Sequence, residues 1–354
     1  MTEATAQAEP QPAVRVVRRT WFSVGGAVVV AAGLGVLVAV PWWASEGQAR
    51  NLVEFFTLLA LAQMWNLLAG YAGLVSIGQQ AFIGIGAYSL YLLGDDGGVH
   101  PFAAVALAGL VAAAISLPTA LLAFRLRGGY FAIGTWVIAE VFHLLTINGA
   151  DIHVDTGGGE GVTILSAARL ERTFRAHGTY WWALGVGAGS VLLAYAILRS
   201  RLGLALTAIR DDETAAGSLG VGVLRQKVLV YVIAAFGCGL AGAVIYLNLL
   251  RVQPDAAFDV NWTAYMIFIV VIGGIGTIEG PIIGTILFFT LQQELSDYGV
   301  WYLIVLGGVA VAFAVWVRGG IWGLVSRRFV LELFPVRRRV VYRHGERARA
   351  PVSE

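Results

Sequence analysis

The residues able to make directed hydrogen bonds stand out in this sequence because they interrupt long apolar runs. The stretch NLLAGYAGLVSIGQQAFIGIGAY, residues 66–88, holds five glycines and the polar residues Asn66, Ser76, Gln79 and Gln80. Such polar groups are costly in hydrocarbon unless they face a neighbouring helix or a water-filled cavity. Close packing of helices explains the glycines equally well, but it does not explain the polar side chains. We therefore predict that this stretch borders a polar path through a membrane.

A second interrupted stretch, GGIGTIEGPIIG, occupies residues 273–284. A shift of 200 residues places Gly73 on Gly273 and Gly84 on Gly284, which is a weak sign of an internal repeat. Interrupted segments in corresponding parts of two halves indicate a translocation site in transporters. The candidate path residues of this stretch are Gly273, Gly274, Thr277 and Glu279.

One acidic residue, Glu140, lies deeper in an apolar run than any other acid of the chain. An ionisable group inside a membrane is a candidate for function by default, so Glu140 joins the predicted path. His143 lies in the same run, and we interpret it as a packing residue. Glu279 lies closer to the end of its run, where an anchoring role explains it as well as a path role does.

The composition identifies the elements that must hold these residues. Of 354 residues, 58% are hydrophobic and 13% are charged, and the mean hydropathy is +0.75. Soluble domains carry about 25% charged residues. The apolar runs are continuous rather than alternating, which favours helices over a barrel. We predict an all-α polytopic membrane protein with about ten transmembrane helices, interrupted near the midplane, at residues 21–41, 51–71, 74–94, 101–124, 129–149, 179–199, 227–249, 261–278, 280–297 and 299–317.

The distribution of arginine sets the predicted orientation. Positive charge concentrates in segments that are cytoplasmic when both termini are cytoplasmic, as the positive-inside rule requires. We predict a multi-pass protein of the cytoplasmic (inner) membrane whose basic tail contacts lipid headgroups. Its parts are an N-terminal cytoplasmic tail at 1–20, a transmembrane domain at 21–317 with an external loop at 150–178 and a cytoplasmic segment at 200–226, and a basic cytoplasmic tail at 318–354.

The cytoplasmic segment 200–226 carries its own signals for a short helix along the membrane face. Acidic residues favour a helix N-terminus and glycine favours its end, and paired alanines give the helix a smooth flank. A plain connecting loop is the alternative interpretation, but it leaves the bracketing positive charges unexplained. We predict a docking surface for a cytoplasmic partner, formed by Arg210, Asp211, Asp212, Glu213, Ala215, Ala216 and Gly220.

The patterns of nucleotide, metal and covalent chemistry are absent from the sequence. Lys227 follows no glycine-rich phosphate loop, and Cys238 is the only cysteine, so paired-cysteine metal sites are excluded. We expect no catalytic residues, no bound metal or cofactor in this chain, and no nucleic-acid partner.

Several stretches together resemble the permease subunits of branched-chain amino-acid ABC importers, the LivM-like type. They are residues 66–88, 127–141, 156–162, the cytoplasmic segment and 273–284, and they occur in the order found in that family. The resemblance implies import of leucine, isoleucine and valine. It also implies a second, related permease subunit as a heterodimer partner, two ATPase subunits that bind the ATP, and an extracytoplasmic substrate-binding protein. The cytoplasmic segment would be the coupling helix that docks into an ATPase.

Two departures from the family pattern leave alternatives open. Thr214 stands where ABC importers commonly have a glutamate, and Glu213 lies one position earlier. Many relatives have histidine at the position of Gln79, so urea or short amides remain alternative substrates. A self-contained secondary carrier or channel is a hypothesis of a different class. Such carriers need embedded ionisable groups, and only Glu140 fits that requirement well.

Overall fold

The computed structural model describes residues 14–17, 33–149, 156–295, 300–317, 319–329 and 339–342. These ranges are mainly helical, as predicted. The helices are α1 Gly33–Trp42, α2 Glu46–Asn66, α3 Gln80–Tyr91, α4 Pro101–Ala123, α5 Gly129–Ile147, α6 Leu165–Ala168, α7 Arg172–Arg199, α8 Arg201–Asp211, α9 Glu213–Ser218, α10 Val223–Leu249, α11 Pro254–Ala257, α12 Asn261–Gly273, α13 Glu279–Leu295, α14 Val300–Trp316 and α15 Gly320–Phe329.

Two small antiparallel strand pairs complete the described structure. Strand β1, Val14–Val17, pairs with β4, Arg339–Tyr342, while β2, Val162–Thr163, pairs with β3, Arg251–Val252. The pairing of β1 with β4 brings the two terminal segments to the same side of the molecule. A chain that crosses a membrane an even number of times also has both ends on one side.

Six described helical segments are long and apolar enough to cross a membrane. They confirm a polytopic helical membrane protein, but they do not confirm ten spans. The predicted first span, 21–41, lies partly outside the described residues, and only Gly33–Trp42 of it is seen as helix. The six segments are Glu46–Tyr71, Pro101–Ala123, Gly129–Ile147, Arg172–Arg199, Val223–Leu249 and Pro254–Gly273.

The shorter helices explain the difference. Helix α3 has 12 residues and is therefore about 18 Å long at 1.5 Å per residue. It cannot cross a hydrocarbon core of about 30 Å alone. Helices α13 and α14 have 17 residues each, which is about 26 Å. The predicted continuous span 74–94 is wrong at its beginning, because α3 starts only at Gln80.

Both predicted interruptions are real breaks in helical structure. The first break, 73–79, follows a π-helical turn at Leu67–Tyr71 that extends α2. The second break, 274–278, separates α12 from α13. Gly73 and Gly276 have φ values of +69° and +74°, a region that glycine enters without steric cost. The helices after the two breaks begin 199 residues apart, close to the predicted shift of 200.

Helix α10 lies at the centre of the packing and contacts α2, α3 and α4. Small residues allow the backbones to approach closely, as is typical inside membranes. A methyl group on Gly86 of α3 would lie 2.1 Å from the carbonyl oxygen of Gly239 in α10. A methyl group on Gly242 would lie 2.3 Å from the carbonyl oxygen of Ile83. The glycines of this stretch therefore do serve helix packing.

Three segments predicted to be external meet at one end of the molecule. Glu46 at the start of α2 forms an ion pair with Arg172 at the start of α7. Asp95 accepts hydrogen bonds from the backbone N–H groups of Leu165 and Ser166, at 2.7 and 2.8 Å. The external loop predicted at 150–178 is shorter than expected, because α7 begins at Arg172 and turns the last part of the loop into helix.

The predicted basic tail, 318–354, also contains more structure than expected. Helix α15 lies within it and packs against α12 and α13, and its Trp322 is buried. The remainder of that tail, apart from β4, lies outside the described residues, as does most of the predicted tail 1–20.

The contact between α3 and α10 makes a testable prediction about stability. Gly86→Ala should destabilise the folded protein by about 1–3 kcal/mol, the usual cost of an overpacked contact, because the new methyl group meets the Gly239 carbonyl. Thermal unfolding of the detergent-solubilised protein, followed by size-exclusion chromatography, measures the effect. Gly185→Ala is the matched control, since Gly185 of α7 faces open space. Equal midpoints for the two variants would contradict this packing.

Candidate functional site

The first break is held by side chains that satisfy its exposed backbone groups. The indole N–H of Trp65 donates to the carbonyl oxygen of Ser76 at 2.9 Å. The backbone N–H of Ile77 donates to Thr135 Oγ1 of α5 at 3.1 Å. The amide nitrogen of Gln79 donates to Ser76 Oγ at 3.2 Å. Ser76 and Gln79 are fully buried, so the break is a closed, hydrogen-bonded structure.

The two glutamines tie the beginning of α3 to neighbouring helices. Gln79 Oε1 lies 3.6 Å from Cys238 Sγ of α10, which donates a weak hydrogen bond. Gln80 Oε1 accepts a hydrogen bond from the hydroxyl group of Thr263 in α12 at 2.5 Å. Both glutamines are buried. In this conformation both glutamines are therefore hydrogen-bonded to protein groups. The role at a polar path stays a prediction.

The second break is held by two amide side chains of α2. Asn66 donates from Nδ2 to the carbonyl oxygen of Thr277 at 2.8 Å and accepts from the backbone N–H of Gly276 at 2.9 Å. Gln63 donates from Nε2 to the carbonyl oxygen of Ile278 at 2.8 Å. Asn66 and Gln63 are fully buried. Asn66 thus pairs with the broken backbone much as a neighbouring strand would.

Sequence analysis did not find Gln63. It lies in an apolar run without a glycine beside it, so the only signal was a single amide one helical turn before Asn66. That spacing places both side chains on one face of α2.

Thr277 and Glu279 shape the start of α13. The Thr277 hydroxyl donates to the carbonyl oxygen of Gly274 at 2.8 Å and accepts from the backbone N–H of Gly280 at 3.0 Å. Glu279 is the first residue of α13 and is 7% exposed. A carboxylate at this position interacts favourably with the positive end of the helix dipole.

The two breaks meet at a cluster that we call the break junction, formed by Asn66, Gly70, Gly73, Gly276 and Thr277. A methyl group on Gly70 would lie 2.7 Å from the backbone nitrogen of Gly276. Arg210, the penultimate residue of α8, donates from Nη1 to the carbonyl oxygen of Gly70 at 3.0 Å. The predicted docking segment is therefore bonded directly to this junction.

The short helix predicted in the cytoplasmic segment is present as α9. Asp212 caps it by accepting from the backbone N–H groups of Thr214 and Ala215, at 2.8 and 2.9 Å. Gly220 follows its end with a φ of +85°. The acidic residues of this segment were expected at the beginning of one helix. Asp211 does not fit that expectation, because it is the last residue of α8 and does not begin α9. The segment thus holds two helices where one was predicted.

The exposed surface at α9 and the residues after it contains both charged and apolar side chains. Ala216 is buried and Ala215 is exposed, so the predicted alanine flank is divided between the two environments. Glu213 pairs with Lys227 at 2.6 Å. Leu219 is 84% exposed, and sequence analysis did not single it out. An exposed leucine beside charged residues is suited to burial against a partner.

Glu140 lies apart from the groups that hold the breaks. Its side chain is 54% exposed and its Oε1 lies 3.2 Å from His143 Nδ1. His143 Nε2 lies 3.0 Å from Asp255 Oδ1 of α11, which connects α5 with the segment after α10. His143 was interpreted as a packing residue, and it does pack against Phe258 with ring centroids 5.9 Å apart. It also bridges two carboxylates.

The described residues offer no arrangement for metal chemistry, because they contain no group of three or more His, Cys, Asp or Glu placed to hold an ion. A cleft of about 620 Å³ lies at the Arg172 end of α7 and is mainly aromatic. Its walls include Phe102, Phe174, Trp181 and Trp182. None of the residues given for its lining belongs to the break junction.

Helices that are broken within apolar segments are typical of membrane transport proteins. The family model of the branched-chain amino acid transport system / permease component matches residues 47–314. The chain belongs to this family of ABC transporter permeases. Permeases of this family work with ATPase and substrate-binding partners, and they are not enzymes themselves. The family and the apolar helices together indicate a multi-pass protein of the inner membrane.

Three relatives illustrate the range of similarity. The chain is 30% identical over 326 residues to the high-affinity branched-chain amino acid transport system permease protein LivM of Escherichia coli, covering 84% of this chain and 75% of that protein. The LivM protein of Salmonella typhimurium is 29% identical with the same coverage. The ribose import permease protein RbsC of Bacillus subtilis is 31% identical over 38% of this chain and 46% of its own length. No solved structure matches the chain.

The bonds of Asn66 make a second testable prediction. Asn66→Leu keeps the branching of the side chain but replaces the amide with methyl groups, which leaves the Gly276 N–H and the Thr277 carbonyl without their partner. Each buried unsatisfied group costs about 1–3 kcal/mol, so the thermal midpoint of the solubilised protein should fall markedly. Asn248→Leu on α10 is the matched control, because Asn248 is only half-buried. An unchanged midpoint for Asn66→Leu would show that these bonds do not stabilise the second break.

Proposed function

We propose that this chain is the permease subunit of an ABC importer that carries leucine, isoleucine and valine into the cell. The main support is the similarity to two LivM proteins over 84% of the chain. The ribose import permeases are similar over shorter parts, 38% of the chain for the Bacillus subtilis protein and 65% for the Escherichia coli protein. The family alone does not specify the substrate, and the extent of similarity favours branched-chain amino acids.

The proposed topology has ten spans with both termini in the cytoplasm. In this arrangement α3, α13 and α14 each contribute to a crossing together with neighbouring non-helical residues. The pairing of β1 with β4 supports an even number of spans. The Glu46–Arg172 pair would then mark the external face, and α8 and α9 would lie at the cytoplasmic face.

The proposed assembly contains two ATPase subunits, a second related permease subunit and an extracytoplasmic binding protein. ATP would bind the ATPase subunits, so this chain needs no cofactor. Its contribution to coupling is the segment 200–226, in which α9 is capped by Asp212 and displays Glu213 and Leu219 at the surface. These features support docking of an ATPase at α9.

The proposed path for the solute involves movement at the break junction. Ser76, Gln79, Gln80 and Asn66 are bonded to protein in the described conformation. Under the alternating-access mechanism, ATP-driven motion of the coupling segment would shift the two breaks and change which groups are accessible. Glu140, which is exposed on α5, is a separate candidate for contact with a solute.

A sugar is the second candidate substrate, because ribose import permeases of Bacillus subtilis and Escherichia coli are also similar to this chain. Urea and short amides remain further alternatives from the sequence. A self-contained carrier or channel is the alternative of a different class, and co-purification with an ATPase distinguishes it from an ABC permease.

Uptake of labelled leucine tests the proposed substrate. Cells that lack this chain should lose saturable leucine uptake, and restoring its gene should recover it, because the proposed transporter cannot assemble its membrane part without this subunit. Unlabelled isoleucine and valine should compete, whereas ribose, urea and acetamide should not. Unchanged leucine uptake in the deleted cells would contradict the branched-chain assignment. Competition by ribose alone would move the substrate to a sugar.

The exposed acid of α9 provides a test of the docking surface. Glu213→Arg should reduce leucine uptake by at least about tenfold, the effect expected when a charge-assisted contact at an interface is lost, while the amount of chain in the membrane stays unchanged. The variant also disturbs the pair with Lys227. The double exchange Glu213→Lys with Lys227→Glu restores that pair and is the control. Full recovery of uptake in the double variant would assign Glu213 to the internal pair and remove the docking role.

A further inference from the structure

Arg210 was predicted to belong to the surface that contacts an ATPase. In the structure its side chain instead donates a hydrogen bond to the end of α2. Its guanidinium divides its donors between two acceptors. Nε and Nη2 donate to Asp211 Oδ1 at 3.1 and 3.0 Å, while Nη1 donates to the carbonyl oxygen of Gly70 at 3.0 Å. The side chain is 40% exposed. Asp211 therefore orients the guanidinium so that Nη1 faces the end of α2.

The carbonyl group of Gly70 is a suitable acceptor because it lies at the end of a helix. The last four carbonyl groups of a helix have no partner within it, and a positive charge near that end interacts favourably with the helix dipole. Gly70 lies in the π-helical turn Leu67–Tyr71, immediately before the first break. Hydrogen bonds made by charged donors are shorter and stronger than neutral ones.

The same arginine contacts the beginning of the first break and approaches the second. A methyl group on Gly73 would lie 3.3 Å from Cγ of Arg210. A methyl group on Gly276 would lie 3.2 Å from the Gly70 oxygen and 3.6 Å from Nη1 of Arg210. Larger side chains at Gly70, Gly73 and Gly276 would keep these segments apart. Arg210 thus touches the end of α2 and the first residue of the first break, and it lies against the second break.

We propose that Arg210 is a positioning residue that transmits the movement of the segment 200–226 to both helix breaks, and that it is not itself a contact to the ATPase. The inference rests on the proposed function, because it requires that α9 engages an ATPase. Movement of α9 would displace α8, and the bond from Arg210 to Gly70 would carry that displacement into the end of α2. Asn66, one helical turn before Gly70, would carry it on to the second break through Gly276 and Thr277.

The test uses the complete transporter, purified from its own cells through an affinity tag on this chain and placed in lipid vesicles with its binding protein. Four quantities are measured: the ATPase content of the complex, its thermal midpoint, the stimulation of ATP hydrolysis by solute-loaded binding protein, and the solute transported per ATP hydrolysed. The variants are Arg210→Gln and Arg210→Lys. Arg201→Gln is the matched control, because Arg201 is exposed at the opposite end of α8.

Arg210→Gln should retain its ATPase subunits and its thermal midpoint. The transport per ATP should fall by about tenfold, as expected for loss of a charge-assisted hydrogen bond, and the stimulation by binding protein should be lost. Arg210→Lys keeps the charge and one donor, and it should recover part of both quantities. Arg201→Gln should behave as the unmodified chain. A purely structural role for Arg210 would instead lower the thermal midpoint and leave the transport per ATP unchanged.

Two results would overturn the inference. Loss of the ATPase subunits from Arg210→Gln would place the arginine in the docking surface. Unchanged transport per ATP and unchanged stimulation would show that the bond to Gly70 transmits nothing. Failure of the proposed function is distinguishable from both, because the unmodified chain would then co-purify without any ATPase.

Discussion

The described fold depends on one constraint, the need to satisfy every backbone polar group where a helix is interrupted inside an apolar environment. In hydrocarbon an unpaired N–H or C=O group costs several kcal/mol, so a break is stable only where other groups replace the missing helical bonds. Trp65 and Thr135 supply them for the first break, and Gln63 and Asn66 supply them for the second. Helix α2 contributes three of these four residues, which explains why the polar groups of Gln63, Trp65 and Asn66 are buried.

This constraint changes the meaning of the polar residues that sequence analysis selected. An amide buried in a membrane protein is equally expected at a solute path and at a broken helix, because both present unpaired polar groups. Asn66, Gln79 and Gln80 are bonded to protein atoms, so a solute could use them only after those bonds are exchanged. A path that opens and closes requires groups with two alternative sets of partners, and a break held by side chains provides them more readily than a continuous helix.

The sequence predicted local features well and long-range contacts poorly. The glycine-rich breaks and the cap of α9 by Asp212 depend on neighbouring residues, so their signals lie within a few positions of the chain. The bond from Asn66 to Thr277 joins residues 211 positions apart. The spacing of residues within either stretch does not predict this bond. Glu140 was placed with the path because depth in an apolar run was its only visible property. Its contact with His143, and through it with Asp255, depends on how α5 and α11 pack.

The two breaks contact each other at Gly70 and Gly276. Each break follows a helix whose end lies beside another helix, α8 for the first break and α15 for the second. Arg210 of α8 lies close to both breaks at this contact. The end of α2 is the common element, since it leads into the first break and supplies the amides that hold the second. A displacement of this one helix end therefore cannot alter one break and leave the other unchanged.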